Sequence, residues 1–325
     1  MSIADDGPDR GSDRGSDHGP LSRRRVVALC AGAGLLATLR RPVFAAAPSP
    51  LRTRAIPHSG EQLPVVGLGT AIVFDVGSSA QDEAGCAGVV RALVEHGGSL
   101  IDTAPSYGAA EGVIGDILNA SNLRSRVFLA TKLERDSFDD PAAGLRSSLQ
   151  RLRTAKVDLL QLHNVGDPGQ TLAGIAALKA QGLCRYTGIT TTFRGAYEAA
   201  EAIIQREKPD FLEVDYALDN RDAEQRVLPA AAAAGTAVLA ALPFGRGRLF
   251  RTALGKPLPA WATEFDCHSW AQFFLKFVLG NPAITAAIPG TDKAAHAIDD
   301  LGAGLGRLPD AAMRARMVRY VQSLG

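Results

Sequence analysis

From residue 51 onward, short apolar runs alternate with longer stretches in which apolar residues recur every three or four positions. The runs are "VVGLGT" (65–70), "SLIDT" (99–103), "VFLATK" (127–132), "DLLQLH" (158–163), "CRYTGIT" (184–190), "FLEVDY" (211–216), "AVLAAL" (237–242) and "AITAAI" (283–288). Each is short and aliphatic or β-branched, the pattern of strands buried on both faces. Helical spacing fills 82–96, 110–119, 141–152, 170–180, 194–206, 222–234 and 267–279, and two more helices fit 292–303 and 309–323. Strict alternation of strand and helix implies parallel pairing through right-handed crossovers. Eight such units predict an α/β fold, a (β/α)8 TIM barrel with two extra C-terminal helices. A doubly wound open sheet is the alternative, but no GxGxxG follows the first run, where "GLGT" offers a single Gly-x-Gly. "RAIPHSGEQLPVV", ahead of that run, predicts an N-terminal β-hairpin plugging the bottom of the barrel.

The first 47 residues follow a different pattern. Residues 1–20, "MSIADDGPDRGSDRGSDHGP", form a polar repeat without core-forming residues and are expected to be disordered. In 21–47, Arg23, Arg24 and Arg25 precede an apolar stretch of 14 residues, followed by Arg40, Arg41 and small residues. That stretch is shorter than the roughly 20 residues a membrane span needs. The order of basic, apolar and small-residue regions is that of a cleavable export signal. Ser22-Arg23-Arg24 resembles the twin-arginine consensus, with Val26 where Phe is usual, and cleavage is expected near Ala45 or Ala47. The expectation is a periplasmic or secreted protein that meets the twin-arginine translocase during export and keeps no stable membrane anchor. An uncleaved anchor or an unexported basic tail is the alternative. Residues 51–325 would be the barrel, with a monomer as the default.

Composition narrows the function only slightly. The 35 basic and 34 acidic side chains nearly balance, which argues against a nucleic-acid or anionic-membrane surface. Cys30, Cys86, Cys184 and Cys267 form no CxxC pair, so neither a disulfide framework nor a metal site is indicated.

In a barrel of this kind, catalytic groups sit at the C-terminal ends of the strands. Four ionisable residues meet that rule: Asp102 after "SLI", Tyr107 in the next loop, Lys132 ending "VFLATK" and His163 ending "DLLQLH". Singly, each has an ordinary reading as a hydrogen-bonded strand end or a rim charge. Together they suit one chemistry. A tyrosine hydroxyl, ordinarily near pKa 10, protonates an alkoxide forming from a carbonyl. An adjacent ammonium lowers that pKa, and a carboxylate holds the ammonium in place. A neutral imidazole would orient the carbonyl oxygen. The set protonates oxygen but has no nucleophile or metal, so hydride from a nicotinamide is the natural partner.

"LIDTAPSYGAAEGVIGDIL", with "VFLATK", "DLLQLHN", "RYTGIT", "PFGRGRLF" and "AIPGTDKAAHAIDDL", resembles the aldo-keto reductase family in its motif order from about Arg54 to Leu308. The likeness is strongest to bacterial members with twin-arginine signals. It implies an NAD(P)H-dependent oxidoreductase that reduces an aldehyde or ketone, or runs the reverse reaction. Tyr107 would be the general acid, Lys132 its pKa-lowering neighbour, Asp102 the partner of Lys132, and His163 the group that polarises the carbonyl. Asn164 would lie by the nicotinamide. The loop holding Phe244, Gly245, Arg246, Gly247 and Arg248 would wrap the pyrophosphate, and Gly290, Thr291, Lys293 and His296 the adenosine end.

The chain departs from the family pattern in several places. "GITT" replaces "GVSN", leaving Thr190 and Thr191 to meet a carboxamide, and Glu213 stands where Gln is usual. Ala241 replaces the aromatic that stacks on nicotinamide, and Gly290 and His296 align with the usual Lys and Arg of the 2′-phosphate pocket. NADPH is still expected ahead of NADH. Competing readings are a non-turnover nicotinamide-binding sensor or accessory subunit, and a barrel enzyme using Lys132 as a Schiff-base amine. The substrate pocket is expected to involve loop 71–80, with Phe74 and Trp261 or Trp270 nearby.

Overall fold

The alternation of inward and outward positions along short apolar strands builds the molecule from its centre. A computed structural model describes residues 50–77, 79–167, 169–170 and 172–325; the expected disordered segment and export signal, 1–47, lie outside the described residues. Two short strands, β1 (Thr53–Ala55) and β2 (Gln62–Pro64), pair antiparallel as the expected hairpin. Eight parallel strands follow: β3 (Leu68–Gly69), β4 (Leu100–Asp102), β5 (Phe128–Leu133), β6 (Val157–Leu162), β7 (Cys184–Thr191), β8 (Phe211–Asp215), β9 (Ala237–Ala241) and β10 (Ala286–Ala287). Each pairs with its sequence neighbour. Parallel bridges Val66–Ala287 and Gly69–Gly290 join the last strand to the first, closing the barrel.

Helices α1 (Ala80–Glu95), α2 (Ala110–Ala120), α3 (Pro141–Arg151), α4 (Ala173–Ala180), α5 (Tyr197–Glu207) and α6 (Val227–Ala234) cover the outside, each between successive strands. A short α7 (Arg248–Ala253) follows β9, ahead of α8 (Trp270–Leu279), α9 (Ala294–Gly302) and α10 (Ala311–Gln322). All the expected helices are present; α7 was not foreseen. Ser79, Asp140, Ser269 and Asp310 cap α1, α3, α8 and α10 by accepting a backbone N–H of the first turn, which satisfies donors the helix itself leaves unpaired. Cys86, Cys184 and Cys267 are buried free thiols.

The barrel interior is layered. Leu100, Phe128, Ala130, Leu159, Tyr186, Phe211, Leu239 and Ala286 fill its lower part together with Ile56 and Leu63, which the hairpin inserts from below. Phe128, Tyr186 and Phe211 pack with ring centroids 5.6–5.8 Å apart. Two residues further along, Leu100 gives way to Asp102, Ala130 to Lys132, Leu159 to Gln161, and Phe211 to Glu213. The period of two keeps all four pointing inward. An apolar floor therefore lies directly under a polar layer, and every member of that layer is buried. Outward-facing Thr131 donates to Glu111 on α2 at 2.6 Å, and Arg151 of α3 donates to the same carboxylate at 2.6 Å, which anchors both helices to β5.

Candidate active site

The four residues singled out at strand ends meet around one mouth. Lys132 Nζ donates to Asp102 Oδ2 at 2.5 Å and to the Thr103 carbonyl at 3.2 Å. Its ammonium lies 4.9 Å from the Tyr107 ring centroid. The Tyr107 and His163 rings meet edge to face, 5.9 Å apart. Asp102, Tyr107 and His163 line a cavity of about 560 Å³, while Lys132 lies fully buried beneath it.

The turn carrying Tyr107 is set by Gly108, at φ 59°. A Cβ there would meet Asp75 Oδ1 at 2.0 Å, so only glycine fits. Asp75 Oδ1 accepts the Ala109 N–H at 2.9 Å and ties the turn to the loop after β3. In that loop Ile72 is 85% exposed at the cavity lip and held at φ 70°, a region β-branched residues rarely occupy.

Electrostatics in the buried layer are dominated by a second carboxylate. Glu213 Oε2 lies 3.3 Å from Lys132 Nζ and accepts from Gln161 Nε2 at 2.9 Å. Burial pushes the Asp102 carboxyl well above its usual range, Glu213 adds to this, and Lys132 opposes it. Burial alone would lower the Lys132 ammonium, but Asp102 and Glu213 outweigh it and hold the lysine well above its ordinary value. Lys132 is thus kept charged, the reverse of what a Schiff-base amine requires. Burial also raises the Tyr107 phenol, with Lys132 pulling the other way, so the hydroxyl keeps its proton at neutral pH.

Two hydrogen-bonding partners of these residues were not foreseen. Glu134 binds His163 Nδ1 through both oxygens, at 2.8 and 2.9 Å, and accepts the Ser106 N–H at 3.3 Å. Burial opposes its ionisation, but the hydrogen bonds from His163 and Ser106 outweigh this and bring the Glu134 carboxyl down to about 2. Gln161 bridges Glu213 and Asp102 (3.5 Å to Asp102 Oδ1). Both were legible as the positions two residues from Lys132 and His163 on the same inward face.

The expected cofactor residues divide into two groups. Asn164, Glu213, Phe244, Arg246, Gly247 and Gly290 line the cavity, as does Ala241. Asn164, at φ 50°, presents a side chain whose Oδ1 accepts from Thr192, an unforeseen wall residue, at 3.2 Å. Leu242, Gly245, Arg246 and Gly247 all have positive φ, so the chain coils tightly at this edge. Phe244 lines the cavity while its ring packs on Phe250, 4.8 Å away.

The others are placed elsewhere. Thr190 and Thr191 are fully buried behind the wall; the Thr190 hydroxyl accepts the Asn164 N–H at 2.8 Å and Thr191 donates to Phe193. Gly245 is packed on Asp219, and Arg248 is paired with Asp219 at 2.8 Å. Thr291, Lys293 and His296 gather at the start of α9, where the Thr291 hydroxyl accepts the Lys293 N–H and the latter two are exposed. Phe74 is fully buried, because the loop turns back through the Phe74 N–H to Thr70; Ala71, Ile72 and Val73 line the cavity in its place. Trp261 and Trp270 belong to an aromatic cluster with Phe273 and Tyr320 and do not line the cavity.

Comparison with known proteins places the chain in a family. Residues 65–316 match the profile of the aldo/keto reductase family. The methylglyoxal reductase YeaE of Escherichia coli is 30% identical over 254 residues, 76% of this chain and 87% of that protein. An aldo-keto reductase of Mycobacterium sp. (strain MCS) is 34% identical over 139 residues, but the match spans 41% of this chain and 46% of that protein. Among solved structures, an aldo/keto reductase from Klebsiella pneumoniae in complex with NADP and acetate superimposes with a TM-score of 0.70 at 25% identity, covering 82% of this chain and 94% of that one. One from Brucella melitensis gives 0.67 at 20% identity, over 86% and 100%.

Proposed function

Because the chain belongs to the aldo/keto reductase family, we propose that it reduces an aldehyde or ketone with NADPH, Tyr107 giving the proton to the carbonyl oxygen. The observation that carries this reading is the convergence of Asp102, Tyr107 and His163 on one cavity, with the buried Lys132 ammonium bonded to Asp102 and facing the Tyr107 ring. The bound nicotinamide would supply hydride to the carbonyl carbon. Its site is supported by the chemistry of the wall: Asn164 and Thr192 offer amide and hydroxyl groups suited to a carboxamide, and Arg246 offers charge to a diphosphate. Ala241 lines the cavity at the position where the family resemblance implies a stacking aromatic. The preference for NADPH draws on the family likeness and on the NADP held by the Klebsiella pneumoniae relative.

Tyr107 holds its proton until oxygen charge develops, and the Lys132 ammonium stabilises the phenolate as that proton leaves. Asp102 fixes the ammonium. His163, turned by Glu134 so that Nδ1 faces the carboxylate, directs Nε2 at the carbonyl oxygen. The same groups serve alcohol oxidation by reversal. Methylglyoxal is the first substrate to try, given the relative named for it. NADPH-dependent quenching of protein fluorescence followed by loss of cofactor absorbance with methylglyoxal or an aromatic aldehyde is expected; no binding of either NADPH or NADH would sink the reading.

We also infer export by the twin-arginine route, carried by Ser22-Arg23-Arg24 and the apolar stretch behind it. Replacing Arg23 and Arg24 by Lys is expected to keep the protein in the cytoplasmic fraction.

A further inference from the structure

Under the cavity, two carboxyl groups compete for one ammonium. Asp102, Lys132 and Glu213 are 2%, 0% and 3% exposed, so water screens them little, although both acids border the cavity. Lys132 Nζ lies 2.5 Å from Asp102 and 3.3 Å from Glu213, and the Gln161 amide spans the two acids. The neighbouring inward positions on β7 and β9, Gly188, Thr190, Leu239 and Ala241, are neutral, as are Gly69 and Ile288. The other titratable groups facing the cluster are Tyr107, and His163 with Glu134 one inward position further up.

Fully ionised, this cluster holds one negative charge without a matching cation. Buried carboxyl pairs avoid that state by keeping a proton between them. The Gln161 amide meets both acids through Nε2, while its Oε1 is buried with no partner among the described residues.

We propose that Asp102 and Glu213 hold one proton between them and release it when positive charge enters the cavity above. The proposal rests on the nicotinamide site inferred in the preceding subsection, because the reduced ring is neutral and the oxidised ring cationic. Lys132 lies between the acids and Tyr107 and serves as the path. When Tyr107 has given its proton to the substrate oxygen, a Lys132 N–H passes one to the phenolate, and the carboxyl proton restores the ammonium. Tyr107 and Lys132 end as they began, the two acids end ionised, and the buried charge is unchanged over the turnover. The glutamine usual at this position in the family could not store that proton.

Calorimetric titration of the cofactor-free protein with NADP+ and with NADPH, in buffers of different ionisation enthalpy, counts the protons released. About one proton more is expected to leave with NADP+ than with NADPH, and Glu213→Gln is expected to erase the difference. Equal counts, or a difference that survives in Glu213→Gln, overturn the proposal while leaving the nicotinamide site standing. Failure of both cofactors to bind removes that site and the proposal together. Infrared spectroscopy of the cofactor-free protein near neutral pH gives a second reading. A protonated-carboxyl band is expected in the wild type and should weaken in Glu213→Gln, with any Asp300 contribution persisting in both; no change in the band overturns the shared proton.

Discussion

Glu134 and His163 are joined through one ring nitrogen, Nδ1, which lies within 2.9 Å of both carboxylate oxygens. An ionised carboxylate only accepts, so the hydrogen sits on Nδ1 and Nε2 is the atom left to face the cavity. Glu134→Ala frees the ring to turn and to change tautomer. Reductive kcat/KM is expected to fall about 10²-fold with cofactor affinity held, read by steady-state rates beside fluorescence titration. An unchanged rate would mean that the pair only braces the loop.

Tyr107→Phe keeps the ring and its edge-to-face contact with His163 but removes the transferable proton. The rate with any carbonyl is expected to drop by about 10²–10⁴, while NADPH binding stays within a factor of a few. Full activity in this variant would unseat Tyr107 as the acid.

Lys132→Met leaves Asp102 and Glu213 buried together without a cation. Such a loss costs about 3–5 kcal/mol, measurable by urea unfolding. Adding Glu213→Gln to Lys132→Met is expected to recover part of it, since one of the two acids left without a cation is gone. No recovery would show that the acids do not feel each other.

Asp300 on α9 is 4% exposed, and burial, aided by the charge of Asp299, pushes its carboxyl up to about 8. Below the ordinary carboxylate value it is neutral in both folded and unfolded chains and costs nothing. As pH climbs from there toward about 8, the unfolded chain ionises first and stability declines; above that the loss is complete. Asp300→Asn is therefore expected to match the wild type near pH 4 and to exceed it near pH 9. A gap that does not widen with pH would rule this out.

Arg246 lines the cavity in a coiled stretch of backbone, whereas Arg248 is held by Asp219. Arg246→Ala is expected to weaken NADPH binding about tenfold, and Arg248→Ala less. The reverse order would place the diphosphate on the other side of the loop.

What the sequence discloses follows from periodicity. Leu100 and Asp102, or Leu159, Gln161 and His163, share a face because a strand repeats every two residues, so the barrel and its four central groups were legible. Glu134 and Gln161 obey the same rule, but Gln161 carries no ionisable group and Glu134 lies one residue past the end of β5. Loops obey no such rule. Phe74 turns inward through a single backbone hydrogen bond to Thr70, and the Thr190 hydroxyl is engaged by the Asn164 N–H. Neither fact is encoded in residue type. The six residues of α7 are too few to show a period, and the positive φ of Leu242 and Arg246 is invisible in their side chains.

The layering of apolar floor and polar ceiling on the same strands makes misregistration self-defeating. A one-residue insertion between Val127 and Phe128, just ahead of β5, would swing the Lys132 ammonium out among α2 and α3, where Glu111 already has its partners, and would bring Thr131 in between two stranded acids. The same slip would expel Phe128 and Ala130 from the floor. Chemistry and folding thus fail together, and a chain that reaches the closed barrel has its reactive groups aligned at the moment of closure.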